Sequence, residues 1–75
     1  MTVYLIGDLT RQTGLSRHTV NYYINIGLIE EASRSQNNYR FFDDAVIKRL
    51  NKIIELRNKN VSIKKIKKIL SKDGG

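Results

Sequence analysis

The chain of 75 residues has no cysteine, no proline and a single histidine. Without cysteine it forms no disulfides and offers no thiolate to a metal, so nothing calls for an oxidising compartment, and a reducing cytoplasm is the natural setting. With His18 as the one histidine, and acids scattered over cap and turn positions rather than paired around a pocket, catalysis is the weakest functional class. A metal site is equally poorly supplied, and no cofactor is expected. No apolar stretch approaches the roughly 20 residues that span a bilayer. The N-terminus, MTVYLIGDLTRQ, lacks a basic region followed by a long apolar run, which argues against secretion. With no proline, no Gly/Ser linker and no repeat, residues 1–75 are expected to form a single domain ending in a frayed Ser71-Lys72-Asp73-Gly74-Gly75 tail. A domain this small buries only about 60% of its unfolded surface, so modest stability is expected.

Acid is also scarce. Seven Asp and Glu face fourteen Lys and Arg, giving a net charge of +7 that attracts a polyanion, either nucleic acid or an anionic membrane surface. The excess is concentrated in residues 48–72, where ten cations meet the single acid Glu55. Residues 1–47 are nearly balanced, so binding by that half must rest on where a few groups sit.

Helix starts recur as an apolar residue before the cap matched by another five positions later, the hydrophobic staple. Leu15 and Val20 flank Ser16, Phe42 and Ile47 flank Asp43, and Val61 and Ile66 flank Ser62. Tyr4 and Leu9 have the same spacing before a helix over about 6–13, but Leu5 at the cap carries no side-chain oxygen, so that end needs another partner. Gly14 closes this helix and Leu15-Ser16 restart the chain as a second one, the helix-turn-helix arrangement, over residues 6–26. Gly27 stops the second helix in the same way. Residues 28–41 read as a hairpin, with LIE and YRFF strand-prone and Asn37-Asn38 tolerant of left-handed backbone. A third helix, about 44–58, is expected to bury Val46, Ile47, Leu50, Ile53 and Ile54; a fourth, about 63–71, Ile63, Ile66, Ile69 and Leu70. The expected fold is mainly α, a winged helix-turn-helix of four helices and a small β-hairpin wing.

The second helix sorts Val20, Tyr23 and Ile24 onto an apolar stripe, with Arg17, His18, Asn21, Tyr22 and Asn25 opposite. Arg can bridge guanine O6 and N7, Asn can pair with adenine, and Tyr can donate to a phosphate. The plain alternative is a solvated helix face, which the preceding turn, the basic charge and the following hairpin argue against. Tyr23 fits the core better than a contact. Tyr39 stands open between the two, and the run Lys64-Lys65, Lys67-Lys68 between a solubilising face and direct phosphate contact.

The runs IGDLTRQTGLSRHTVNYYINIGLI, NNYRFFD and VIKRLNKIIELRNKNVSIKKIKKIL together resemble the MerR-type transcription regulators over residues 3–70. The resemblance implies a winged helix-turn-helix followed by a second wing of helix-loop-helix form, here residues 44–71. It implies base and phosphate contacts from Ser16, Arg17, His18 and Tyr22, with Asn21 beside them, and wing contacts to phosphate from Tyr39 and Arg40, with Arg34 at the wing tip. Arg57, Lys59 and the helix start at Ser62 would form the second wing, where helix amides can also hold a phosphate. The family usually has Arg where this chain has Asn21, an acid at Ile24 and Gly at Asn38, departures that bear on contact strength, the apolar face and the wing turn.

The resemblance further implies that the partners are double-stranded DNA, RNA polymerase at the promoter, and a second copy of the full-length protein as a homodimer, with no membrane. Because the family's long dimerisation helix is not represented before the terminal glycines, this chain is expected to be monomeric and either cut from a larger protein or a short stand-alone architectural or excisionase-like DNA-binding factor. A basic interaction module for RNA, acidic protein or anionic lipid is the competing class.

Overall fold

The computed structural model describes residues 2–74, with side chains through Ser71. Helix α1 (Ile6–Thr13) begins at a cap without a side-chain oxygen, and the missing partner comes from inside the helix: Asp8 Oδ2 accepts the Leu5 N–H at 2.9 Å. The chain entering α1 is held from outside as well. Tyr4 and Phe42 exchange two backbone hydrogen bonds of 2.8 Å, and the Tyr4 hydroxyl donates to Asp44 Oδ1 at 2.7 Å. Gly14, at φ 77°, donates to Thr10 O and closes α1 as expected.

Helix α2 (Arg17–Asn25) starts three residues after Gly14, its first turn capped by Ser16 Oγ, which accepts the Thr19 N–H at 3.1 Å. It ends in a Schellman arrangement, in which Leu28 N–H reaches Tyr23 O at 2.9 Å and Gly27 N–H reaches Ile24 O at 3.1 Å. The left-handed residue this requires is Gly27, at φ 78°.

The LIE segment corrects the expectation of a strand. Leu28 and Ile29 are fully buried, but their amides turn back to Tyr23 O and make no ladder. The hairpin is shorter, with β1 (Ser33–Arg34) antiparallel to β2 (Arg40–Phe41) in the register Ser33 to Phe41 and Arg34 to Arg40. Asn38 takes the left-handed position of its turn at φ 66°, which explains how this chain dispenses with glycine there.

Helix α3 (Asp44–Asn58) is capped by Asp43, whose Oδ1 accepts the Val46 N–H, and a second Schellman arrangement ends it with Asn60 at φ 64° and Val61 N–H on Leu56 O. Helix α4 (Ile63–Gly74) follows after Ser62, whose Oγ accepts the Lys65 N–H, and runs three residues further than expected. The frayed tail expected from Ser71 is therefore helical through Gly74, and Gly75 lies outside the described residues.

One continuous core joins these pieces, with Leu9 of α1, Val20 of α2, Leu50 and Ile53 of α3 and Ile66 of α4 all fully buried around Leu28, Ile29 and Phe42. Helix α1 packs on α2 and on α3, and α3 packs on α4. Ile47, Ile54, Ile63 and Ile69, expected in the core, are half-buried instead, Ile47 and Ile63 packing against its edge. No helix among the described residues is long and apolar enough to cross a membrane.

Candidate nucleic-acid interface

With Val20 and Tyr23 buried in the core, the opposite side of α2 is forced outward, and Arg17, His18, Tyr22 and Asn25 are exposed while Asn21 is half-buried. Tyr23 is thereby a core residue. Its ring lies 5.9 Å from that of Tyr22, which leaves Tyr22 47% exposed yet braced from one side. The Ser16 hydroxyl is already spent, since it also donates to Thr19 Oγ1 at 2.9 Å. What the start of α2 can offer a phosphate is therefore the amides of Arg17 and His18, which lie within the first turn and have no intrahelical acceptor.

The hairpin turn is fixed by Asn38 N–H to Ser35 O, Ser35 N–H to Tyr39 O, and Tyr39 N–H to Ser35 Oγ, all near 3 Å. It lifts Tyr39 to 64% exposure. Between this hairpin, the start of α1 and the polar face of α2 lies an open concavity of about 460 Å³, bordered by Arg11, Arg17, Asn21, Asn38, Tyr39 and Arg40. The guanidiniums of Arg11 and Arg17 both lie beside Gly7 of α1, 3.5 Å and 3.8 Å from where a Cβ would stand, a distance at which a side chain there would make ordinary contact. Arg11 is paired with Asp8, whose carboxyl is held below its ordinary pKa chiefly by the Leu5 N–H and further by Arg11. No hydrogen bond among the described residues holds Arg17.

Of the expected wing contacts, Arg34 is committed by hydrogen bonds, whereas Arg40 has only an ion pair. Glu31 takes Arg34 on both oxygens, from Nε at 3.0 Å and Nη2 at 2.6 Å, and Arg40 Nε lies 3.4 Å from the same Oε2. This pairing raises the Arg34 pKa and lowers that of Glu31.

In the turn between α3 and α4, Arg57 Nη1 donates to Val61 O at 3.0 Å, and Lys59 reaches Glu55 at 3.4 Å while remaining 67% exposed. Ser62 is the exposed residue that opens α4. Lys64, Lys65 and Lys68 are exposed, but Lys67 is committed: its Nζ donates to Ile26 O at 2.7 Å. Arg49 Nε likewise donates to Leu28 O at 2.6 Å. Together they satisfy carbonyls at and just beyond the C-terminus of α2, where the helix dipole favours cations. Sequence reading did not single out Arg49, Glu31, Asp8 or Gly7, and placed Lys67 with its neighbours. The available signal was the pair of glycine-ended helices, whose last carbonyls need donors from elsewhere. Among the described residues no three His, Cys, Asp or Glu side chains come together as metal ligands.

A helix-turn-helix with a polar outward face and a basic hairpin across a groove from it defines the winged helix-turn-helix class. The chain belongs to the MerR HTH family of regulatory proteins, which it matches over residues 4–73. It is 38% identical over 64 residues to the HTH-type transcriptional regulator CueR of Bacillus subtilis, covering 85% of this chain and 44% of that protein. Its fold matches the transcriptional regulator SkgA of Caulobacter crescentus with a TM-score of 0.88 at 29% identity, over all of this chain and 54% of that one. HiNmlR, a MerR family regulator lacking the sensor domain and solved bound to promoter DNA, matches with a TM-score of 0.81 at 26% identity, over 91% of this chain and 52% of that one. The chain thus spans about half the length of the relatives it matches.

Proposed function

We propose that the chain is the promoter-binding unit of a transcription regulator, acting by binding duplex DNA rather than by catalysis. The observation that carries this reading is the shared groove, where Arg17 and Asn21 of α2 face Asn38, Tyr39 and Arg40 of the hairpin. A B-form major groove about 12 Å wide admits a helix, and a hairpin beside that helix meets the flanking phosphates. HiNmlR, with the same fold, is bound to promoter DNA.

In this reading Arg17, His18, Asn21 and Tyr22 meet base edges and nearby phosphates, and Ser16 contributes by setting the first turn of α2. Tyr39 and Arg40 grip the backbone from the wing. Arg57, Lys59 and the start of α4 at Ser62 form a second wing on the same duplex. The unit is one domain of three parts: helix-turn-helix 6–26, wing 28–41 and second wing 44–71. The full-length regulator would act as a homodimer on two half-sites and deliver the promoter to RNA polymerase on the nucleoid. Selection from random duplexes over a salt series is the test, with single-stranded RNA and anionic vesicles as competitors. A recovered consensus resistant to both competitors is expected. Equal displacement by RNA or vesicles, with no consensus, would overturn the reading.

A further inference from the structure

Arg34 and Arg40 stand directly opposite each other on the hairpin, an arrangement in which like charges repel. Glu31, two residues ahead of β1, lies between them. Both Glu31 oxygens serve Arg34, through the same planar fork with which a guanidinium takes a phosphate. Arg40 receives only the remainder. Its Nε is shielded from solvent and forms no hydrogen bond, lying 3.4 Å from the Oε2 that accepts the closer Arg34 Nε at 3.0 Å. The wing thus has two guanidiniums for one carboxylate. The carboxylate is the more fixed partner, with the Glu31 side chain 26% exposed against 43% for Arg34, so Arg34 sits on the open side.

We infer that Glu31 is an internal competitor for phosphate: it occupies the fork of Arg34, withholds that cation from the DNA backbone, and so limits the grip of the wing. The inference rests on the DNA-binding reading above. A half-exposed pair of this kind contributes little in water, so it restrains Arg34 without being an irreversible lock. Its effect is on the number of phosphates neutralised. Phosphates are the same in every duplex, and sequence preference is therefore left alone.

The test compares the unaltered protein with Glu31→Gln, Arg34→Ala and the double variant for binding to selected and scrambled duplexes over a salt series, with thermal melts alongside. Glu31→Gln is expected to bind both duplexes more tightly and to steepen the salt slope by about 0.9. This corresponds to roughly a three- to fourfold gain on going from about 200 mM to about 50 mM salt. Arg34→Ala alone should leave affinity and slope nearly unchanged, and in the double variant it should abolish the gain. Three results would overturn the inference. The first is a slope flattened by about 0.9 in Arg34→Ala and in the double variant alike, which would put Arg34 on a phosphate already. The second is a folded Glu31→Gln that binds no tighter. The third is a double variant that keeps the gain, tracing it to general charge. If Glu31→Gln does not fold, Glu31→Ala takes its place in both the single and the double variant. Failure of the unaltered protein to retain any duplex would instead sink the DNA-binding reading, and this inference with it.

Discussion

Phosphates repeat identically along a duplex while base edges do not, so cations of equal charge on this chain should separate by what their removal changes. Arg17 is exposed on α2 and held by no hydrogen bond among the described residues, free to swing from its place over Gly7 to a base. Arg17→Ala should flatten preference at one position of each half-site, since a bidentate base contact discriminates by about 1–3 kcal/mol, and leave the other positions intact. Replacing Lys64 and Lys65 by Gln should lower affinity for every duplex and reduce the salt slope by up to about 0.9 for each phosphate no longer neutralised, with specificity unmoved. An even loss on selected and scrambled duplexes from Arg17→Ala would reassign it to phosphate. The backbone makes a parallel prediction at Asn38, whose left-handed φ of 66° costs a β-branched side chain most. Asn38→Val should destabilise by about 1–2 kcal/mol in urea unfolding, whereas Asn38→Gly should hold or raise stability. A neutral valine would show that the hairpin can relax its turn.

Helix α2 depends on its neighbours at its C-terminal end, where Lys67 from α4 donates to the Ile26 carbonyl at the cap and Arg49 from α3 to that of Leu28 just beyond it. Arg49→Met leaves the Leu28 carbonyl without that donor and should cost about 1–3 kcal/mol of stability in a urea titration. Lys67→Met should cost less, being exposed, and should leave the salt slope unchanged, unlike its neighbours in α4. The start of α1 and the hairpin depend on carboxylates. Asp8 is held below its ordinary pKa by the Leu5 N–H and Arg11, and Glu31 by Arg34. A carboxyl whose folded pKa is depressed stabilises fully above its unfolded pKa and loses that contribution as pH falls through the folded value. Melting temperature should therefore drop as pH falls below about 4, and Asp8→Asn and Glu31→Gln should each flatten that dependence. A profile identical in all three proteins would exclude these carboxylates as its origin.

The helix starts were legible because Ser16, Asp43 and Ser62 act on amides three residues away. The helix ends at Gly14 and Gly27 and the Asn38 turn were legible for another reason, the left-handed backbone that these residue types tolerate. The LIE segment was not. Strand-prone residues suit any buried extended segment, and whether a ladder forms depends on where the amides go, here back to Tyr23 O. In the candidate interface, the outward face of α2 followed from helical spacing alone. Arg34–Glu31, Lys67–Ile26 and Arg49–Leu28 did not, because a long charged side chain can reach many acceptors and only the packed fold decides which is near.

At the scale of the molecule, the apolar residues that drive folding are already turned inward, from Leu9 through Leu70, and among the described residues the large apolar side chains left exposed are Val3, Leu5, Tyr22 and Tyr39. Of these, Leu5 and Tyr39 border the proposed DNA groove and Tyr22 lies on the polar, outward side of α2. None lies on the described side chains of α4, where Ile66 and Leu70 are in the core, Ile63 packs against it and Ile69 is half-buried, while the exposed side is basic. A coiled-coil partner needs an apolar seam sustained over several heptads, and α4 presents none on its open side. The chain should therefore sediment as a monomer at micromolar concentration. Its DNA affinity should be correspondingly weak, because joining two half-sites through a dimer makes the second contact effectively intramolecular, and a monomer forgoes about 10²–10⁴ of apparent affinity. Fusing the chain to an unrelated parallel dimerisation helix should restore much of that factor on a two-half-site duplex and almost none on a single half-site. A tight dimer of the unfused chain in sedimentation, unchanged on dilution, would show that a surface proposed to face DNA or solvent is instead a protein interface.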